Sequence, residues 1–282
     1  MKINDEIFNL MKHKFNSIIN SGNYNVLEEN KKFVNKYNGK RCFILGNGPS
    51  LNTVDFSVLK NEYVFTVNRL MRLDNFKNLN SNFHLYADLH AFGLRKGFDN
   101  DSKVILQEML SLGKDVELFL PLEAEQIIRR NKYDKKLKIN FFKIGSPFIK
   151  GNRNIDLMNT IPSFNTVVQY AIAIAIYMGF KEIYLLGCDG TIIKAVIDTL
   201  MNAKMYAIHA YDDNDGLQEN AYKQLLNNYK MDYVLYDQYT VFYAYRLLNK
   251  YCKAKKIKLV NLCETSLIDS LPKENLNDIL NH

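Results

Sequence analysis

The chain has 282 residues, 47% hydrophobic and 12% aromatic, with five prolines and thirteen glycines, which is enough to bury a sizeable core and excludes fibrous and low-complexity classes. Its 37 Lys and Arg against 30 Asp and Glu give a formal charge of +7, but the lysines are scattered among Asn, Ile and Tyr and form no single basic helix, which argues against nucleic acid as a partner. The four cysteines (Cys42, Cys188, Cys252, Cys263) make neither a Cys-x-x-Cys pair nor a zinc spacing, so a reducing cytoplasm is the expected compartment.

In chain order, the opening MKINDEIFNLMKHKF has no apolar h-region and no small-residue cleavage site, so no signal peptide is expected. Residues 4–20 and 24–36 read as two amphipathic helices packed outside a sheet. Strands are then predicted at 41–46, 63–67, 83–88, 116–120, 138–144, 182–187 and 257–262, with helices at 122–132, 165–179, 217–230 and 238–254. The apolar run VVQYAIAIAIYMGF is interrupted by Gln169 and is shorter than the roughly 20 residues that span a bilayer, so it reads as a buried helix. Continuous apolar strands separated by helices imply an α/β fold, a doubly wound, mostly parallel Rossmann-like sheet covered on both faces. The organisation expected is an N-terminal helical extension over 1–37, a Rossmann-like domain over 38–282, and within it a lid-like insertion at about 190–240, where the rhythm breaks into an acidic, glycine-containing stretch.

FILGNGPSLN, residues 43–52, runs from a buried strand into a glycine turn. Gly46 and Gly48 permit a sharp turn and a close backbone approach, and Pro49 stiffens the loop. Ser50 is expected to cap a following helix whose free N–H groups suit an anion. The third glycine of a full dinucleotide fingerprint is missing. Other strand ends bring polar groups to the same rim: Asn68 and Arg69 after YVFTV, Asp88 and His90 after FHLYA, and Asp189 and Thr191 after EIYLLG. Asn and Asp can read ribose hydroxyls and base edges, and Arg69 suits a phosphate or carboxylate. His84, inside a strand, reads as structural.

ILGNGPSL, the strand ending TVNRL, AIAIAIYMGFKEIYLLGCD and KIKLVNLCETSLI together resemble the bacterial sialyltransferases of glycosyltransferase family 42, and the first and third blocks also resemble the wider superfamily containing the archaeal 6-hydroxymethylpterin diphosphokinases. The resemblance implies that Asn47, Gly48 and Ser50 line the CMP phosphate and ribose, that Asn68 contacts the nucleotide sugar, and that Gly187 and Asp189 lie beside the cytidine. Asn165 and Thr166 would meet the sugar carboxylate or phosphate at a helix N-terminus. The chain departs from that pattern in three places. Arg69 stands where the family has Gln, Thr191 stands where it has Tyr, and Tyr236, Asp237, Gln238 and Tyr239 occupy the segment where it carries its histidine base.

The implied activity is an inverting glycosyl transfer from a CMP-sugar donor, sialic acid or a related sugar, to a surface-glycan or glycolipid acceptor. His209, in the lid-like segment, is the candidate base, with Asp237 and Asp88 as alternatives. No cofactor is required in this reading, while Mg²⁺ stays open. The basic charge suits a cytoplasmic enzyme working peripherally at the inner membrane face, and a homo-oligomer is compatible with it. Two alternatives remain: an ATP- and Mg²⁺-dependent diphosphokinase with Asp88 as a metal ligand, and a noncatalytic nucleotide-binding protein of glycan assembly.

Overall fold

The computed structural model describes residues 24–94, 101–149, 154–201, 209–211, 223, 226–227 and 229–281. Seven strands form one parallel sheet: β1 (Arg41–Leu45), β2 (Tyr63–Val67), β3 (Phe83–Leu85), β4 (Glu117–Pro121), β5 (Lys138–Phe142), β8 (Glu182–Leu186) and β9 (Lys258–Asn261). Their order across the sheet is β5-β4-β3-β2-β1-β8-β9, and β6 (Ile144–Pro147) and β7 (Ile161–Ser163) make a separate parallel pair. The chain therefore lays down β1 to β5 outward in one direction and returns to place β8 and β9 on the other side of β1. The reversal falls between β1 and β8, the position where open α/β sheets bind ligands beyond their carboxyl ends.

Alternation along β1 explains why both faces are covered. Cys42 and Ile44 point into one apolar cluster with Ala171, Ile172 and Leu248, while Phe43 and Leu45 point into another with Tyr184, Leu186 and Val260. The first cluster is roofed by α3 (Val167–Tyr177), whose VVQYAIAIAIY sequence is buried over most of its length, and by α5 (Met231–Ala254). Gln169, the one polar interruption of α3, is fully buried and donates to the Val241 carbonyl of α5 at 2.9 Å, so it ties the two helices together. At the far edge, the Asn30 amide of the 3-10 helix Tyr24–Phe33 donates to the Phe141 and Leu157 carbonyls at 2.7 and 2.9 Å.

Each predicted strand is present within a residue or two at each end, except that 83–88 stops at Leu85 and 138–144 divides at Lys143, where the chain leaves the main sheet to form β6. The helix read at 24–36 is 3-10 and ends at Phe33, that at 122–132 contracts to a 3-10 turn and α2 (Glu125–Arg130), and that at 238–254 begins earlier, at Met231. Two helices lie outside the expected set: α1 (Asp101–Met109), whose apolar residues Val104, Ile105 and Leu106 run together, and α4 (Ile192–Leu200), whose apolar residues recur at helical spacing within the segment read as a lid-like insertion. A short α6 (Leu276–Leu280) closes the described chain. The helix expected at 4–20, most of that at 217–230 and the middle of the lid-like insertion lie outside the described residues. No helix among the described residues is long and apolar enough to cross a membrane.

Phe180 anchors the aromatic part of this core. It stacks on Tyr37 with ring centroids 4.9 Å apart and meets Phe65 and Phe83 edge-on at 5.9 and 6.3 Å. Phe180→Ala is expected to destabilise the protein by about 3–5 kcal/mol in urea unfolding without changing the denaturant slope.

Candidate functional site

The loops that follow β1 and β8 are laced to each other. The Gly46 N–H donates to the Leu186 carbonyl and the Gly48 N–H to the Gly187 carbonyl, both at 2.8 Å. A Cβ on Gly46 would lie 2.4 Å from the Gly187 oxygen, and one on Gly48 would lie 1.7 Å from an Asp189 carboxylate oxygen. Gly187 itself has φ of +62°, and a side chain there would run into Leu51. The two glycines read as room for a ligand are thus required first by the neighbouring loop.

Asp189 is 6% exposed. Ser50 Oγ donates to its Oδ2 at 3.0 Å, and Cys263 Sγ lies 3.4 Å from its Oδ1. Its carbonyl accepts from Leu267 N–H at 2.8 Å. The NLCETS segment after β9 completes the frame: Ser266 Oγ donates to the Cys188 carbonyl at 2.7 Å, and Asn261 Nδ2 donates to the same carbonyl at 3.1 Å and to Ser266 Oγ at 2.9 Å. All four cysteines are buried free thiols, and burial pushes the Cys42, Cys188 and Cys252 thiols up, away from the thiolate a nucleophile needs.

This geometry corrects two expectations. Ser50 does not cap a helix: Gly48 occupies the N-cap position, and the Ser50 hydroxyl turns to Asp189. The element after the turn is a five-residue 3-10 helix, Pro49–Thr53, so its dipole is too short to make an anion site. What the loop does offer is Asn47. Its side-chain Oδ1 is buried with no hydrogen-bond partner among the described residues, while its carbonyl accepts from Ala210 N–H at 2.7 Å. A buried, unpaired amide oxygen costs about 1–3 kcal/mol unless something donates to it.

That Ala210 contact brings the segment His209–Tyr211 onto the loop from more than 160 positions away in sequence. The His209 ring stacks on Tyr211 at 4.8 Å, and burial together with the nearby Arg72 guanidinium lowers its pKa to about 4. His209 is therefore a neutral imidazole at pH 7. Arg72 shares Glu108 with Arg69: Arg69 makes a bidentate pair at 2.9 and 2.8 Å, and Arg72 Nε reaches the same carboxylate at 3.0 Å. Arg69, expected to meet a phosphate directly, is held by Glu108, and the trio keeps one net positive charge at the carboxyl end of β2.

The remaining candidates spread along the same rim. Asn68 adopts a left-handed backbone (φ +50°), a conformation that Asn tolerates, and its carbonyl bonds His84 Nε2 at 2.9 Å. His84 is fully buried, accepts from or donates to Thr66 at 2.7 Å, and has its pKa lowered to about 3 by burial, the structural role expected of it. Asp88 is exposed after β3. Thr191 stands at the start of α4 without capping it. Thr166 caps α3, and Asn165 hydrogen-bonds Thr240, so both fasten α3 to α5 at the rim. Asp237 is half-buried one turn away on α5. Among the described residues, no three His, Cys, Asp or Glu side chains gather as a metal site.

Sequence reading missed Arg72 and Glu108, which are remote in sequence from each other, and Glu123 just past β4, which the rule that selected Asp88 would have found. Gly48→Ala forces the Asp189 loop to move and is expected to cost about 3 kcal/mol or more in urea unfolding. Ser50→Ala, which removes one hydrogen bond to a carboxylate, is expected to cost about 1.5–3 kcal/mol in the same measurement.

Among solved structures, the sialyltransferase CstII from Campylobacter jejuni, in complex with the substrate analogue cytidine-5'-monophosphate, is 22% identical over 85% of this chain and 86% of its own, with a TM-score of 0.44. The MAf glycosyltransferase from Magnetospirillum magneticum AMB-1 is 12% identical over 92% of this chain and 39% of its own, with a TM-score of 0.46. Comparison with curated proteins finds no match. The family described as 6-hydroxymethylpterin diphosphokinase MptE-like matches residues 16–194, well over half of the sequence, and the chain belongs to that family.

Proposed function

We propose that the chain binds a nucleotide at the β1–β8 reversal and is an inverting glycosyltransferase with a CMP-sugar donor of the sialic acid type, acting on a surface glycan or glycolipid. The observation that carries the binding half is the buried Asn47 Oδ1, an acceptor with no donor among the described residues, in a glycine turn at the position where open α/β sheets bind ligands. The donor chemistry rests on the resemblance of the GNGPSL, TVNRL, KEIYLLGCD and NLCETSLI blocks. In this reading a hydroxyl or amino group of the nucleotide donates to Asn47, Asn68 borders the sugar, and the Arg69–Arg72–Glu108 trio supplies net positive charge as the phosphate departs. Asp189 acts indirectly, by holding the turn through Ser50. Residues 38–282 would form the catalytic domain with its lid at about 190–240, cytoplasmic and peripheral to the inner membrane.

A base works best with a pKa near the working pH. His209, lowered to about 4, is available unprotonated at neutral pH but is a weak proton acceptor there. Its position on the Asn47 loop beside Arg72 supports a role on the donor side in this reading. If His209 alone set the pH profile, activity would be flat from pH 6 to 8 and fall only toward pH 4.

Family membership favours a second reading, diphosphoryl transfer from ATP with Mg²⁺, in which Asp88 would be a metal ligand. Thermal-shift titration separates the two. The glycosyltransferase reading expects stabilisation by CMP without Mg²⁺, about 2.7 kcal/mol at a hundredfold excess over Kd, and a tenfold or greater loss of CMP affinity in Asn47→Ala. Stabilisation by ATP alone, only with Mg²⁺ and lost in Asp88→Asn, would establish the diphosphokinase instead.

A further inference from the structure

Glu123 stands two residues past the carboxyl end of β4, in the 3-10 turn Leu122–Ala124 that packs against the turn Leu89–Phe92 after β3. Its neighbours in sequence, Leu122 and Ala124, belong to an apolar cluster with Tyr86, Ala91 and Phe92. Both carboxyl oxygens are shielded from water, and among the described residues no side chain and no other residue's backbone donates to either; only its own backbone N–H approaches the carboxylate. The other acidic groups nearby are engaged: Glu125 binds Arg129 at 2.8 Å, and Glu108 holds the two arginines. A shielded carboxyl approached by no donor but its own backbone N–H weakens the fold, and such groups are retained where chemistry needs them.

The turn also lies on the ligand rim. Along the carboxyl edge the order is β8, β1, β2, β3, β4, with the nucleotide loop after β1. At about 4.8 Å per strand, Glu123 stands roughly 14 Å along the edge from that loop, the separation that a phosphate, a sugar ring and an attacking hydroxyl would fill.

We infer that Glu123 is the general base on the acceptor side of the site, an inference that rests on the glycosyltransferase reading. The acceptor O–H bond breaks, with its proton passing to a Glu123 oxygen. The oxygen's electron pair forms the new bond to the anomeric carbon, and the bond from that carbon to the phosphate oxygen breaks with its pair leaving on CMP. Burial supports the assignment by raising the Glu123 pKa from 4.5 to about 7, opposed in part by its own backbone N–H, with no charged group among the described residues contributing.

Two measurements on Glu123→Gln test it. The first is stability. The folded pKa lies above the unfolded value, so the protonated carboxyl favours the fold below about pH 4.5, and that contribution is lost as pH rises through 7. Gln stays neutral, so the variant is expected to match the parent Tm at pH 4.5 and exceed it by roughly 2–6 °C at pH 8. The second is CMP release from CMP-N-acetylneuraminate, with water as acceptor. The parent rate is expected to rise with pH through about 7, and the variant to lose that limb and about 100-fold or more in kcat while keeping its thermal shift with CMP.

A variant that keeps both its rate and the limb near pH 7 overturns the assignment and leaves the glycosyltransferase reading standing. A parent that binds CMP without turnover, or does not bind it, overturns both. A variant that loses rate and also the CMP shift overturns the base role, because a group acting only on the acceptor leaves donor binding intact.

Discussion

Two loops on adjacent strands approach until no side chain fits between them, and the rest of the rim is arranged around that contact. Gly46 and Gly48 bond the backbone of Leu186 and Gly187, and the space a Cβ would occupy on Gly48 is filled by the Asp189 carboxylate. Asp189 is held in turn by Ser50 from the first loop and by the 261–268 segment after β9. A break in any one of these three chain segments loosens the other two. Because the contact lies where the winding of the sheet reverses, it also fixes the floor of the cleft that a doubly wound fold leaves for a ligand.

Polar groups around that floor divide into those satisfied by the protein and those left for something else. His84, the Asn68 backbone, Asp189 and Ser50 are satisfied internally and give the rim its shape. Asn47 and Glu123 carry buried oxygens to which no other described residue donates, one in the loop after β1 and the other beyond β4. Their separation along one edge suits a donor at one end and a nucleophile at the other. The positive Arg69–Arg72–Glu108 trio lies between them, past the carboxyl end of β2, where it would face the negative charge that develops in the proposed glycosyl transfer or in phosphoryl transfer.

The parallel sheet was legible because its strands are short, continuous apolar runs such as FILG and YLLG, and a strand buried on both faces needs no alternation to be recognised. The departure at Lys143 was not, since KINFFKI is uniformly strand-like and only pairing with Ile161–Ser163 reveals that its last part belongs to a second sheet. At the site, the GNGPS loop was visible from its glycines, but the reason for them was not, because the group each one accommodates lies about 140 residues later. Ser50 illustrates the same limit: locally it has the right chemistry for a cap, and a distant carboxylate takes its hydroxyl instead. Arg69 had the right charge for a phosphate, and only folding brings Glu108 to it. His209 was singled out as the histidine of the irregular segment, and its docking on Asn47 through Ala210 could not be read from spacing.

The central claim is that the nucleotide sits over the β1–β8 contact, and a crystal structure of the protein grown with CMP tests it most directly. The account predicts density for the nucleotide at the carboxyl end of β1, with a donor group within hydrogen-bond distance of Asn47 Oδ1 and the phosphate on the side of Arg72. Nucleotide bound at another edge of the sheet, with Asn47 still unpaired, would contradict it.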